Sequence, residues 1–285
     1  GGDVGVTPLA FRKTNFVGGL KLEARLDDGL SFGAELSRRP VTDSLLSYAG
    51  ATDPRTGLSW GGVTSNGLNL DFGYDSQAFG AYARGGLHRL AGANVASNNA
   101  FDASVGAYYY VIRNDDDILT LGANITSQSY AKNLRYFTLG HGGYFSPQSY
   151  FSLGIPIDWS GRKEKLAYQV RTNVGIQSFR EDSVPYFPLD AGLQGTLQNM
   201  ALANPALASS YAGRSVSGFS YLLAGSVEYQ IAPKFFLGGA LSMDNASNYN
   251  QQIGLAYLKY AFLPQAGKIA FPPAIVQPYF LEHAP

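Results

Sequence analysis

Ser65-Asn66-Gly67 offers a hydroxyl in a tight-turn setting, and His88, His141 and His283 are the only imidazoles in the 285 residues. A serine becomes a nucleophile when a base stands within hydrogen-bond reach and a third group orients that base. A histidine two residues before the serine would serve, but Val63 occupies that place. Nothing in the sequence assembles a nucleophile, base and orienting group around His88 or His141, so a turn and surface histidines are the expectation. Asp115-Asp116-Asp117 could draw a cation. Three consecutive carboxylates in a short turn cannot all converge on one ion, and they lack the spaced oxygens of a calcium loop. Neither a metal nor a cofactor is expected, and the chain is read as no enzyme.

The polar residues with more to offer alternate with apolar ones. In Leu20–Leu36, Leu20, Leu22, Ala24 and Leu26 interleave with Lys21, Glu23 and Arg25; Leu30, Phe32, Ala34 and Leu36 then interleave with Ser31, Gly33 and Glu35. A period of two means extended strands with one oily and one polar face, and Asp27-Asp28-Gly29 between them is a hairpin signal. Leu68, Leu70, Phe72 and Tyr74 likewise oppose Asn69, Asp71, Gly73 and Asp75. The same rhythm predicts strands near 3–9, 15–26, 30–39, 61–74, 77–90, 99–113, 117–131, 143–158, 164–180, 215–231, 234–244 and 249–262. A short helix within 197–211 is the one departure from it.

Composition bounds what such strands can build. Basic and acidic residues are 21 each, and a chain without basic excess gives no reason to expect nucleic acid. Charged residues make up 15%, below the roughly 25% of soluble domains. Tyrosine (19), phenylalanine (17) and glycine (34) are abundant, and cysteine is absent, which suits an oxidising compartment. No apolar run approaches the roughly 18–20 residues of a membrane-spanning helix.

The connections decide between a soluble sandwich and a membrane barrel. Those at 27–29, 75–77, 114–116, 159–163 and 232–233 are short, while those at 40–60, 91–98, 132–142, 181–214 and 245–248 are mostly long, and the two kinds alternate strictly. A barrel with tight periplasmic turns and extended external loops has that rhythm; a sandwich has no reason to gather its long loops at one end. The fold expected is all-β, a transmembrane antiparallel up-and-down β-barrel with oil-facing and lumen-facing edges. Residues 1–262 form the barrel, and residues 263–285 form a Pro-rich periplasmic tail that Pro272, Pro273, Pro278 and Pro285 keep out of any ladder or helix. The last strand closes on Phe262, like the C-terminal aromatic signature read by the barrel-assembly machinery.

Arg38–Gly50 (RRPVTDSLLSYAG), Trp60–Val63 (WGGV), Gly106–Ile112 (GAYYYVI), Tyr186–Leu189 (YFPL), the FPP…QPY tail and above all Leu139–Ile157 (LGHGGYFSPQSYFSLGIPI) carry a resemblance. They resemble the C-terminal domain of the cellulose synthase operon outer-membrane subunit, the C component of bacterial cellulose secretion, across essentially the whole chain. The resemblance implies a barrel of about sixteen strands in a Gram-negative outer membrane. A nascent β-glucan would leave through it, coupled to a cellulose synthase complex through a periplasmic tetratricopeptide array that this sequence does not contain. The twelve strands here would be its larger part, with earlier strands missing.

A neutral glucan offers hydroxyls and flat sugar faces, so its partners are amides, acids, arginines and aromatic rings. The polar faces supply Asp71, Asp102, Gln169, Arg171 and Glu228, and the inward tyrosines Tyr108 and Tyr110 make a sugar-stacking step or part of an interfacial belt. In the external Gly140–Tyr144 run the glycines permit a tight inward fold, and His141, Tyr144, Phe145 and Tyr150 are candidates to rim an exit. The 181–214 connection exceeds a simple hairpin, so a lid or plug is expected there. The function expected is export of an exopolysaccharide, most readily cellulose. A general diffusion porin is the alternative within membrane proteins, and a barrel phospholipase or omptin-like protease the alternative among enzymes.

Overall fold

The structure, a computed structural model, describes residues 1–26, 29–245 and 250–274. β1 (Gly2–Val6), β2 (Phe16–Arg25) and β3 (Leu30–Pro40) lead into a short helix α1 (Leu45–Ala49) and a two-residue strand β4 (Ala51–Thr52). β5 (Ser59–Asp75), β6 (Phe79–Ala93), β7 (Asn98–Arg113), β8 (Asp117–Tyr130), β9 (Ser149–Lys163) and β10 (Leu166–Glu181) follow. A long loop then holds β11 (Val184–Pro185), helix α2 (Ala191–Ala203) and β12 (Ser210–Tyr211). β13 (Arg214–Ala232), β14 (Phe235–Asp244) and β15 (Gln251–Tyr260) complete the chain's strands.

Twelve strands pair in strict up-and-down order, each antiparallel to its neighbour in sequence, with β4 alongside β5 as the thirteenth member of the sheet. These are the twelve that the period of two predicts. Among the described residues β1 and β15 pair with one neighbour each and not with one another. Every interior strand thus has a hydrogen-bonded neighbour on both sides, the arrangement by which strands cross hydrocarbon. The all-β barrel wall is the fold expected.

The largest departures from the expected bounds are in β9 and the loop helix. β9 begins at Ser149 rather than 143, because 143–148 folds inward at the long-loop rim. It also runs on through Trp159 to Lys163, which pairs with Leu166, so the turn is Glu164-Lys165, with Glu164 at φ 51°. The loop helix lies at Ala191–Ala203, upstream of the 197–211 window, because Asp190 caps it by accepting from the Leu193 amide and Tyr211 is taken by β12. The turn residues Asp27 and Asp28, most of the 245–248 connection, and tail residues 275–285 with Pro278, His283 and Pro285 lie outside the described residues.

The faces sort as the alternation requires. Leu22, Phe72 and Leu258 are 62%, 55% and 66% exposed, and Leu68 and Leu70 share their outward side. Asn69 and Asp71 face the other way. An exposed apolar belt of this extent on a wall with a polar opposite face is the lipid-facing pattern of a membrane barrel. Trp159 and Tyr168 pack edge to face on the outer surface near the short-turn rim, the place of an interfacial aromatic. Buried apolar packing gathers instead at the long-loop rim, where Leu46, Trp60, Val63, Leu90, Val95, Leu134 and Tyr144 form one cluster.

Candidate functional site

The inner face is polar, and its charges are paired along the wall. Arg84 Nε donates to Asp71 Oδ1 at 2.5 Å from the adjacent strand. Arg171 and Gln169 both donate to Asp158, at 2.9 and 3.1 Å. Glu228 accepts from Lys259 Nζ at 2.6 Å and from the Tyr257 hydroxyl at 2.8 Å. Lys21 meets Glu23 at 2.8 Å. The candidates Asp71, Gln169, Arg171 and Glu228 therefore share the polar inner face, each tied to a neighbour. Asp158, Tyr257 and Lys259 went unread in the sequence because cross-strand partners lie 11 to 31 residues away in the chain.

Tyr108 and Tyr110 both point inward near the short-turn rim. Their hydroxyls donate to one carboxylate oxygen of Asp75, at 2.7 and 2.6 Å, and the two rings stand edge to face at 5.6 Å. Arg113 bonds Asp75 and lies over the Tyr110 ring at 4.0 Å. This pair belongs to the inner face of the wall, held by Asp75 at the end of β5, which the alternation placed on the polar face without linking it to the tyrosines. The register irregularity between Tyr110 and Ile112 ends the alternation just beyond it.

Asp102 has a different partner. His88 Nε2 lies 2.7 Å from Asp102 Oδ1, and His88 Nδ1 lies 3.3 Å from Ser65 Oγ. A base does therefore stand beside the serine, supplied by the next strand, which corrects the expectation drawn from Val63. The imidazole fits because Gly67 and Gly86 leave it room: a Cβ on Gly86 would lie 2.5 Å from both Nε2 and Asp102 Oδ1. Acyl transfer would also need donors aimed at an oxyanion. The adjacent Asn66 faces the opposite side, where its amide oxygen accepts from Arg38 and its amide nitrogen donates to the Arg89 carbonyl. Ser65, His88 and Asp102 thus form a hydrogen-bonded line across three strands of the inner face.

At the long-loop rim the 133–148 segment folds into the barrel and fastens to the loop between β10 and β13. Gly140 at φ 100° and Gly143 at φ 67° make the inward fold possible; their Cβ positions are crowded by Pro188 and by Ser44 Oγ. Asn133 donates to the Asp182 carbonyl, Thr138 to the Tyr186 carbonyl, and Arg135 to Glu181 at 2.6 Å. Tyr136 stacks on Tyr211 with ring centroids 3.5 Å apart. His141 and Tyr144 are 0% and 2% exposed, and Phe145 and Tyr150 are buried against Phe179. These four candidates hold the cap together from within and show almost no surface to the bore. Tyr150 lies on β9 itself and donates to Gln177.

His141 seals that seam. A carbonyl only accepts, so the 3.0 Å contact to Pro185 puts the ring proton on Nε2 and leaves Nδ1 as a buried acceptor without a partner among the described residues. Burial holds the imidazole below its ordinary value of 6.5, since charging it would strand a cation in the cap. The neutral form is the one that fits, so the burial of His141 in the cap is undisturbed above that ordinary value and is opposed as pH falls below it towards the lowered one. Protection of the amides in 181–214, measured against their intrinsic exchange rates at each pH, is accordingly expected to fall between pH 7.5 and 5. His141→Gln should remove that dependence, although Asp43, pushed up by burial, bonds the Phe145 amide close by. Protection factors that do not change with pH in the unaltered protein would refute the assignment.

At the short-turn rim the described part of the tail, residues 263–274, docks on the wall. Gln265 bonds Pro233 and Gln230, Lys268 Nζ meets Asp116 at 2.6 Å, and Arg162 donates to Asp116 and to the Ile269 carbonyl. Lys268 and Arg162 hold the Asp116 carboxyl below its usual range. Ile269 is buried on Ala167 and Phe236, which are themselves fully buried on the inner face. The Asp115–Asp117 turn is thus an anchor for the tail.

A family described as cellulose synthase operon protein C C-terminus matches residues 1–263. Cellulose synthase operon protein C of Xanthomonas axonopodis pv. citri is 42% identical over 99% of this chain and 19% of its own length. The Pseudomonas fluorescens protein of the same name is 40% identical over 97% and 21%, and that of Escherichia coli K12 31% identical over 97% and 24%. The chain thus spans about a fifth of the length of these curated relatives. A solved bacterial polysaccharide outer membrane secretin shares the fold at TM-score 0.51 and 10% identity, over 87% of this chain and 69% of that one.

Proposed function

Because the chain belongs to the cellulose synthase operon protein C family, matching its C-terminal part, we propose that it walls an outer-membrane conduit for a nascent neutral exopolysaccharide, cellulose or a related β-1,4-glucan. The observation that carries this reading is the neutralised lumen. Asp71, Asp158, Glu228 and Asp75 each have a cationic partner on the wall, with amides and hydroxyls between them. Among the described residues a passing ion meets no uncompensated ring of one sign. A polymer of hydroxyls meets donors and acceptors that are each weakly available, and conduction needs binding loose enough to release.

The short turns would lie in the periplasm, where the glucan arrives from an inner-membrane synthase complex through the tetratricopeptide module of the full-length protein. The aromatic end of the last strand at Phe262 would engage the barrel-assembly machinery. The long loops would face outside, with the 181–214 loop as the lid. The wall does no chemistry on its cargo. Asp102, Tyr108 and Tyr110 would touch the chain directly, and His141, Tyr144, Phe145 and Tyr150 would support the exit.

Two measurements on the full-length protein test this. Cells lacking it are expected to retain glucan, and its re-expression to restore export; export unchanged by its loss would end the proposal. In planar bilayers a general diffusion porin with a charged constriction would favour ions of one sign. This lumen is expected to pass potassium and chloride with a permeability ratio close to that of their free mobilities, and a strong preference for either would favour the porin reading.

A further inference from the structure

Arg39, Arg84 and Arg171 of the inner face each meet a carboxylate, but two arginines of the outer face do not. Arg38 on β3 and Arg89 on β6 flank Asn66 of β5 in one outward row. Both are exposed, and among the described residues neither has an acidic partner. Arg38 Nε donates to the Phe16 carbonyl and Nη1 to Asn66 Oδ1, each at 2.9 Å. Asn66 in turn donates to the Arg89 carbonyl at 3.2 Å. Those bonds orient the Arg38 fork. Among the described residues they leave its Nη2, and the whole Arg89 guanidinium, open to another acceptor.

On the short-turn side of this row lie Leu36, Leu68 and Leu87, aligned across the same three strands and exposed. With Arg38, Asn66 and Gly18 they line an open groove of about 450 Å³. Arg89 stands just past Leu87 on the same face. From Tyr74 at the short-turn end of β5 to Asn66 the strand covers about 26 Å, or about 20 Å of depth at the usual tilt. That is close to the ~25 Å apolar band of outer-membrane barrels. The row lies where hydrocarbon gives way to headgroups.

We propose that Arg38 and Arg89 hold a phosphate of lipid A, the phosphorylated glycolipid of the outer leaflet, with one of its acyl chains lying on Leu36, Leu68 and Leu87. Strands two apart place the arginine backbones ~10 Å from one another, and side chains of that length reach a single phosphate between them. A guanidinium fork matches phosphate oxygens, and the charge-assisted bond strengthens in the lower dielectric at the edge of hydrocarbon. A free anion would leave the leucines uncovered. An uncharged lipid would leave both arginines without a counter-ion. An amphiphile with its phosphate above its acyl chains satisfies the two together. Asn66 is the positioning residue, since its amide ties Arg38 to the β6 backbone at Arg89. The Arg38-Arg39 pair thus divides between faces: Arg39 turns inward to Asp3 and Glu35, and Arg38 turns to the membrane.

The site rests on the conduit reading, which puts the long loops outside, and its test separates the two. Native mass spectrometry of the full-length protein in a neutral detergent would titrate bisphosphorylated lipid A and the same lipid stripped of its phosphates. The phosphorylated form is expected to bind roughly tenfold or more tightly than the stripped one. Arg38→Gln and Arg89→Gln should each raise the lipid A Kd about fivefold, and together about twenty-five-fold. Arg180→Gln should leave it unchanged, because that exposed arginine already pairs with Asp182 at 3.3 Å. Millimolar inorganic phosphate should not displace the lipid. Should Arg38→Gln not fold, Arg89→Gln carries the test, since among the described residues its side chain bonds nothing in the wall. Equal binding of the two lipids, displacement by inorganic phosphate, no loss in Arg89→Gln, or the same loss in Arg180→Gln overturns the site. A cysteine in Ala203→Cys, labelled on intact cells by an impermeant maleimide, reports the orientation of the 181–214 loop by itself. Labelling without lipid A binding overturns the site and leaves the conduit standing. No labelling removes the orientation and the site with it.

Discussion

Leu70→Arg is expected to destabilise the folded barrel by about 2–4 kcal/mol, and Asn69→Arg, one residue away, by less than about 1 kcal/mol. Leu70 is outward-facing in the middle of β5, where an arginine would have to enter hydrocarbon near its midplane. Asn69 points to the opposite side, level with Glu35 of β3 and Gly86 of β6, where water and carboxylates receive a cation. The comparison holds strand, depth and substituted residue nearly constant and changes only the face. Denaturant titration of the refolded protein in lipid gives both values. Equal costs at the two positions would mean that the apolar face meets something other than lipid, and the conduit reading would fall with it.

Glu181→Ala is expected to cost about 2–4 kcal/mol and to open the lid. Its carboxylate has no solvent exposure and binds Arg135 of the inward segment and Arg214 at the start of β13, at 2.6 and 2.5 Å. Removing one partner of a buried ion pair costs roughly 3–5 kcal/mol when the other charge stays buried. Here the guanidinium side chains are 28% and 36% exposed, so water relieves part of that penalty. The cost falls on the cap because Glu181 joins the 133–148 segment to the base of the 181–214 loop. Ion conductance should therefore rise in Glu181→Ala and rise further when residues 185–211 are deleted. Unchanged conductance in both variants would remove the lid from the mechanism, whatever the change in stability. Arg135→Ala with Glu181→Ala should cost less than the sum of the two, since the pair then disappears together.

Local chemistry carried the architecture. Leu20-Lys21-Leu22-Glu23 and Asn69-Leu70-Asp71-Phe72 repeat every two residues because a strand alternates its faces, and such a period needs no distant partner to be read. The strand count, the alternation of short and long connections and the candidate lumen residues Asp71, Gln169, Arg171 and Glu228 all came from that one property. The candidates on the external run came with their residues right and their setting unread. Gly140 and Gly143 announced an inward fold, but not that His141 and Tyr144 would end fully buried within it.

Pairing was decided in three dimensions. His88 beside Ser65, Tyr82 over Gly106 and Lys259 on Glu228 follow from register, which fixes who faces whom across strands and leaves no mark along either strand. The cap and the docked tail lie further still from sequence logic: Phe145 bonds Asp43 across 102 residues, and Lys268 bonds Asp116 across 152. Periodicity is a property of neighbours and survives in the linear order. Loop closure and tail docking are contacts between segments that only the curvature of the wall brings together.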